Sequence, residues 1–383
     1  MLDHVDLYEV LAGNRSLVDL PELHFSSLED TLSFLRAYGF DWSREEDQKK
    51  ILYYYRRTLV YLQEKLLMNE DQLPQWLTGL SLPEEWLQRI LWEPFRSFPE
   101  GASSPERVWA CVILRVMHAF VHAENDLFHL FSQEIQSQVL TPFLAFIFTE
   151  GAKAQSFLKG RLFGKEFSLP LAHFEVKPHK TSVSSVTKLL AKAETHMIDI
   201  HDKIGVRLVT EYLWDVFLVL EFLLQNHVVS PAHVMAGQTT NSIYPTEVFQ
   251  RFINEYRSEV EKLGWLHIRQ DPHLRESWER QLVDFSQRQD NVELVKKNNP
   301  YSAGDYQFIK FVERKLIRLP EPLGGGRFFY PFEVQILTAQ AYQSSLQGEG
   351  DHENYKKRQL EAARRRVLRS LYSASPAAED RTS

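Results

Sequence analysis

Cysteine is almost absent: the 383-residue chain has one, Cys111. That excludes an intramolecular disulfide and a zinc site built on several thiolates. Long apolar runs are missing as well. The most apolar stretch, Val216 to Leu224, is broken by Glu221 and is too short to cross a bilayer; no membrane contact is expected. The opening MLDHVDLYEVLAG has neither the basic nor the apolar region of a secretory signal, so the expected location is cytoplasmic. A positive balance is lacking too: 44 Lys and Arg against 51 Asp and Glu give a net charge of -7, which argues against a surface that coats nucleic acid. What remains is an ordinary globular composition, long enough for two domains.

The pattern from Leu28 to about Phe148 is helical. Ser26 or Ser27 caps a predicted helix that Gly39 stops, Ser43 with Glu46 forms a capping box for the next, and Pro83-Glu84-Glu85 and Ser104-Pro105-Glu106 open two more. Residues 1–165 therefore read as an all-helical domain. Between Gly151 and Lys180 the periodicity changes, with Gly160, Gly164 and Pro170 punctuating short mixed runs. Beyond it, helices and strands alternate unevenly: a helix over 182–197, a buried strand over 204–209, an apolar helix over 215–225, a short strand over 228–235, and strands over 306–319 and 328–338. That spacing predicts an α+β domain over 166–372, not a regular doubly wound one. Two polar-faced helices at about 245–263 and 273–287 interrupt it as a helical insertion near 245–290, and the tail 373–383 reads as disordered.

The last strand carries the clearest chemistry. Phe332, Val334 and Ile336 alternate with Glu333, Gln335 and Leu337, the period of a pleated strand. Glu333 and Gln335 share one face, so that face is wet or part of a polar cleft. In the earlier strand, Asp202-Lys203-Ile204-Gly205-Val206-Arg207, an acid enters an apolar run that contains a glycine and an arginine. A glycine there marks close approach of another backbone or a ligand; the plainer account is a strand with Arg207 paired to a neighbouring acid. Two acids on separate strands, Asp202 and Glu333, suit Mg2+, which prefers oxygen ligands and phosphate oxygens. Lys177, His179, Lys180, Lys188 and Lys192 come just before. Cations beside a diacid are what a triphosphate requires, although lysines on a helix face are ordinarily just solvated.

These pieces resemble the synthetase domains of the RelA/SpoT-type (p)ppGpp synthetase family. Glu333-Val334-Gln335-Ile336-Leu337-Thr338 is similar to its E-[IV]-Q-I-R-T strand, Asp202 to Arg207 to its D-[LI]-x-[GA]-[IV]-R strand, and His352 with Tyr355-Lys356 to its H-x-x-Y-K helix. Lys180 and Lys188 match its two phosphate-binding lysines in order and separation, and Tyr306 falls in a modified N-G-Y-x-S segment. The resemblance covers about 175 to 360. It implies a nucleotidyltransferase-like mixed sheet flanked by helices, and transfer of pyrophosphate from ATP to the 3′-hydroxyl of a guanine nucleotide. Asp202 and Glu333 would hold Mg2+, with Glu333 also assisting deprotonation of the acceptor. Lys180 and Lys188, with Lys177 and His179 beside them, would hold ATP phosphates; Gln335 and His352 would line the substrate site, and Tyr306 would stack on the acceptor base. Some family members modify the tRNA 3′ end instead, and a nucleotide-binding regulator without turnover is a further alternative. The departures are Leu337 in place of the arginine, Pro178 where an arginine is expected, and Lys310 in place of a histidine.

Two more features call for a role. His118, His122, Asp126 and His129 fall at i, i+4, i+8 and i+11, one stripe of one predicted helix, a spacing compatible with metal chelation or with an ordinary polar face. Between 351 and 370, seven Lys and Arg stand against three acids. That is a solvated helix face or a phosphate contact, tRNA being the partner it would suit.

Overall fold

The computed structural model describes residues 17–19, 23–68, 72–96, 104–151, 154–177, 181–192, 200–201, 203–289, 294, 307–346 and 352–373. The first helices are α1 (Leu28–Tyr38), α2 (Glu45–Tyr61), α3 (Gln75–Thr78), α4 (Pro83–Trp86), α5 (Pro105–Glu124), α6 (Leu127–Leu130) and α7 (Ser132–Leu144). Strands β1 (Ile147–Glu150), β2 (Gln155–Leu162), β3 (Lys165–Pro170) and β4 (His173–Val176) follow, then α8 (Ser182–Ala191), β5 (Gly205–Thr210), α9 (Leu213–Gln225) and β6 (Thr240–Asn241). The chain continues through α10 (Thr246–Glu255), α11 (Arg257–Leu263), α12 (Trp265–Gln270) and α13 (Pro272–Gln287) to β7 (Ile309–Arg318) and β8 (Arg327–Thr338). It closes with α14 (Ala339–Leu346) and α15 (His352–Ser373).

Two compact units divide these elements. One takes 1–129, 181–200 and 356–383; the other takes 130–180 and 201–355. The single cut expected at 165 therefore does not coincide with the division. Val186 and Leu190 of α8 and Ala363, Val367 and Leu368 of α15 are fully buried in the same core as Val112, Val116 and Phe120 of α5. An apolar helix face goes where it is covered, whatever its place in the chain.

The helical unit begins as its caps dictate. Ser27 Oγ accepts the Asp30 N–H at 3.1 Å, and Gly39, at φ 112°, ends α1 by donating its N–H to the carbonyls of Leu35 and Arg36. Ser104 Oγ accepts the Arg107 N–H at 3.2 Å to start α5. The capping box expected at Ser43 does not form: Ser43 Oγ donates to Asp41 Oδ1 at 2.8 Å instead. Arg44 is the residue before α2 and gives no side-chain cap, and Glu45, Glu46 and Asp47 meet the positive end of that helix with charge alone.

In the second unit β1, β2 and β3 form an antiparallel meander. Sequence reading placed only mixed runs there. The signal is weak because β1 exposes three of its four residues, so its alternation is nearly invisible. The second sheet has the order β4-β5-β8-β7-β6, with β5 parallel to β8 and the other neighbours antiparallel. This is the mixed sheet flanked by helices of an α+β fold. The strand expected over 228–235 is instead a turn of 3-10 helix, Pro231–His233, touching β7 through one bridge from Val234 to Glu313; Pro231 denies that run a continuous ladder.

The insertion is four helices, not two. The first expected run is split at Tyr256 into α10 and α11, and α12 fills the gap between the two runs, bounded by Gly264, at φ 83°, and by the Asp271-Pro272 start of α13. It packs on α9 through the stacked pairs Trp214–Trp265, 4.9 Å apart, and Phe217–Phe249, 3.5 Å apart. Glu279 of α13 accepts the Leu213 and Trp214 N–H groups at 2.6 and 3.1 Å, supplying from outside the cap that α9 lacks.

Candidate functional site

One face of the five-stranded sheet is polar, and its register fixes which side chains share it. The pairing sets Glu175, Arg207, Gln335, Lys310 and Thr240 across the five strands in one row. In the next row Gly205 lies opposite Glu333, and Glu333 opposite Val312. Lys177 completes that row, its N–H donating to the Gly205 carbonyl at 2.9 Å. Since side chains alternate along a strand, both rows present the same face. Phe332, Val334 and Ile336 point the other way and are buried.

Gly205 makes this arrangement possible. A Cβ there would sit 2.7 Å from the Glu333 carbonyl oxygen and 3.3 Å from the Glu333 Cβ, so only glycine permits the approach. Its missing side chain also leaves a gap between Lys177 and Glu333, and the Lys177 ammonium spans it to bond Glu333 Oε1. Lys310 Nζ stands 3.5 Å from Glu333 Oε2 on the opposite side. The Glu333 side chain is 6% exposed, and a buried carboxylate is tolerated when paired in this way.

The neighbouring row is a brace. Arg207 Nη1 donates to Glu175 Oε2 at 2.8 Å and Arg207 Nε to Gln335 Oε1 at 3.1 Å. Its guanidinium also lies over the Tyr342 ring at 5.6 Å, and that ring stacks on His173. The plain expectation for Arg207, a pairing with a nearby acid, is met. Gln335 is thereby held in one orientation beside Glu333. Together the two rows bring three cations and two carboxylates to one surface, with two lysines on the central acid.

The predicted site residues fare unequally. Glu333, Gln335 and Lys177 are brought together. Asp202, His179, Lys180 and Tyr306 lie outside the described residues, as does the side chain of His352, the first residue of α15. Lys188 sits half-buried on α8 and belongs to the helical unit. Sequence reasoning missed Lys310 and Lys177 as the direct partners of Glu333. Lys177 falls two residues after Glu175 on the edge strand, so the same-face rule alone could have placed it.

The histidine stripe does not exist as one helix face. α5 ends at Glu124; Asp126 accepts the Phe128 N–H at 2.6 Å, and His129 lies on α6. His118 Nδ1 is 2.7 Å from the Tyr38 hydroxyl, and the His118 and His122 rings meet edge-on at 4.4 Å. Among the described residues no group of three or more His, Cys, Asp or Glu is arranged to hold a metal.

Three arginines in the basic stretch of α15 bond to the chain around them. Arg366 clasps Asp19 with two bonds, Nε–Oδ1 at 2.6 Å and Nη2–Oδ2 at 2.8 Å, and donates to the last-turn carbonyls of α8, Leu189 and Leu190. Arg364 Nε donates to the Leu66 carbonyl at 2.7 Å, and Arg369 bonds the Asp19 carbonyl. Burial pushes the Asp19 carboxyl up, but the Arg366 guanidinium wins and holds it below the usual range. Lys356, Lys357, Arg365 and Arg369 are exposed on the helix, the last of them bonded to Asp19. No described helix is long and apolar enough to cross a membrane.

Against known proteins the sequence matches no family model and no curated protein. The chain is similar to the crystal structure of the small alarmone synthetase 2 from Bacillus subtilis, with 15% identity over 53% of this chain and 77% of that one, at a TM-score of 0.25. It is likewise similar to the small alarmone synthetase 1 from Bacillus subtilis, with 10% identity, the same shares and the same score. Likeness at that score carries no chemistry across; what the site can do follows from its own side chains.

Proposed function

We propose that the polar face around Glu333 is the active site of a pyrophosphotransferase of the RelA/SpoT type, taking ATP as donor and a nucleotide hydroxyl as acceptor. One observation carries the reading: a buried carboxylate on a central strand has two lysine ammoniums as its counter-ions. Lysine is a compact, rotatable point charge, unlike the fixed fork of arginine. When a triphosphate enters, Lys177 and Lys310 turn to its oxygens, and Glu333 is released to take the proton of the attacking hydroxyl. The acceptor oxygen bonds to the β-phosphorus of ATP, the bond from that phosphorus to the α,β-bridging oxygen breaks, and AMP leaves. Gln335, braced by Arg207, orients the reacting groups.

Mg2+ belongs to this proposal with Glu333 and Asp202 as its ligands. Glu333 fits an oxygen-preferring cation; Glu175 is taken up by Arg207, which leaves Asp202, three residues before Gly205, as the second carboxylate required. The ion, when bound, would neutralise phosphate charge and polarise the attacked phosphorus. Lys180, Tyr306, His179 and His352 keep their substrate-binding roles within the same proposal.

A second reading has its own support. Glu333 already carries two cations, and Leu337 replaces an arginine of the family strand, which together suit a nucleotide-binding regulator without turnover. Radiolabelled ATP with Mg2+ and, separately, GDP, GTP, ATP or deacylated tRNA tests both. AMP released with one acceptor and lost in Glu333→Gln upholds the transferase. Nucleotide binding with no AMP under any condition upholds the regulator.

A further inference from the structure

The opposite side of the same unit holds a cleft of about 550 Å³ that the site above does not use. Its walls are α7, the turn over 227–233 and the β7 strand, and its lining includes Glu313, Lys315, Arg318, His227 and His233. Glu313 is 2% exposed, yet its Oε2 has no hydrogen-bond partner among the described residues. Its other bond comes from the Ser230 backbone. A buried polar atom left without a partner costs about 1–3 kcal/mol, and here it belongs to a residue that lines an open cleft, which points to a ligand. Lys315 and Arg318 form no ion pair among the described residues, although both line the cleft. Gln138 of α7 fixes that end of β7 by bonding both the carbonyl and the N–H of Arg318, at 2.8 and 3.0 Å. His233 is held edge-on to Phe329 at 5.3 Å.

We propose that this cleft binds a small phosphate-bearing ligand, its oxygens met by Lys315 and Arg318 and by Glu313 as a hydrogen-bond donor. The protonation this needs is available. Burial pushes the Glu313 carboxyl up to about 7, against the Ser230 hydrogen bond and the Lys315 charge, which pull it down. A neutral acid donates to an anion where a carboxylate would repel it. The volume lies within the ordinary range for small-molecule sites. This site is separate from the transferase reading and stands if that reading fails.

Calorimetric titration of the full chain with inorganic pyrophosphate at pH 6.5 tests it. Lys315→Ala and Arg318→Ala, both at solvent-accessible positions, should each weaken binding about tenfold, the scale of one charge-assisted hydrogen bond. Glu313→Gln keeps a donor and should retain binding; it should also hold that affinity at pH 8, where the native protein loses its donor. Lys177→Ala, on the other face, should leave this affinity unchanged. Absence of binding, or binding that Lys177→Ala removes while Lys315→Ala and Arg318→Ala do not, overturns the proposal.

Discussion

The two units use cations in opposite ways. In the helical unit arginines are consumed: Arg366 alone meets two carboxylate oxygens and two helix carbonyls, and Arg364 closes the end of another turn. In the sheet unit the central acid is held by lysines, each able to swing to another anion without unpicking a helix end. A cluster that fixes structure satisfies every donor at several points. One that handles a substrate keeps partners that can be exchanged.

Predictions can break that comparison, beginning with the largest effect. Glu333→Gln should lower AMP release at least about 10²-fold, as expected for loss of a general base, with a circular dichroism spectrum unchanged; activity at the native level would refute the assignment. Gly205→Ala drives a methyl into the Glu333 backbone. It should cost about 1–3 kcal/mol, the usual cost of overpacking, lower the melting temperature and abolish activity. Arg366→Ala should destabilise the chain by about 2–3 kcal/mol through the lost pair and carbonyl bonds; in amide hydrogen exchange the loss should appear in α8 and α15 while nucleotide affinity stays constant.

The smallest effect is in pH dependence, and its sign differs between the units. Arg366 depresses the Asp19 carboxyl, so that carboxylate stabilises the fold above its unfolded pKa, and the contribution is lost as acid protonates it below about 4. Asp215 behaves in reverse. Burial raises it to about 6, only partly offset by Arg269 at 3.3 Å. Its unfolded form releases the proton earlier, so stability falls as pH rises from about 4 to 6 and levels off beyond. Asp215→Asn should flatten that segment of a denaturant-midpoint profile; an unchanged slope would clear Asp215 of the effect.

Much of the sheet unit was legible in the sequence. The alternation at Phe332, Val334 and Ile336 predicts β8 nearly to its ends, and a glycine inside β5 announces the close backbone contact found at Gly205. Which cation reaches Glu333 was not legible, because Lys177 and Lys310 meet it through the pairing register of strands far apart in sequence. The meander of β1 to β3 escaped because little of its alternation is buried. The breaks at Gly264 and Pro272 were legible as the ends of the two expected runs; the one at Tyr256 was not, because no glycine or proline marks it, and α12 was too short to show a period of its own. In α15 the sequence displayed the charges; only packing tells that Arg364, Arg366 and Arg369 bond carbonyls.

The manner in which α8 and α15 complete the helical core has a practical outcome. A fragment ending at residue 165 lacks Val186, Leu190, Ala363, Val367 and Leu368, and with them the far wall of its own interior. The shortest uninterrupted piece holding every buried residue of that interior runs from Val18 to Leu368. Such interleaving makes the protein hard to dissect by truncation.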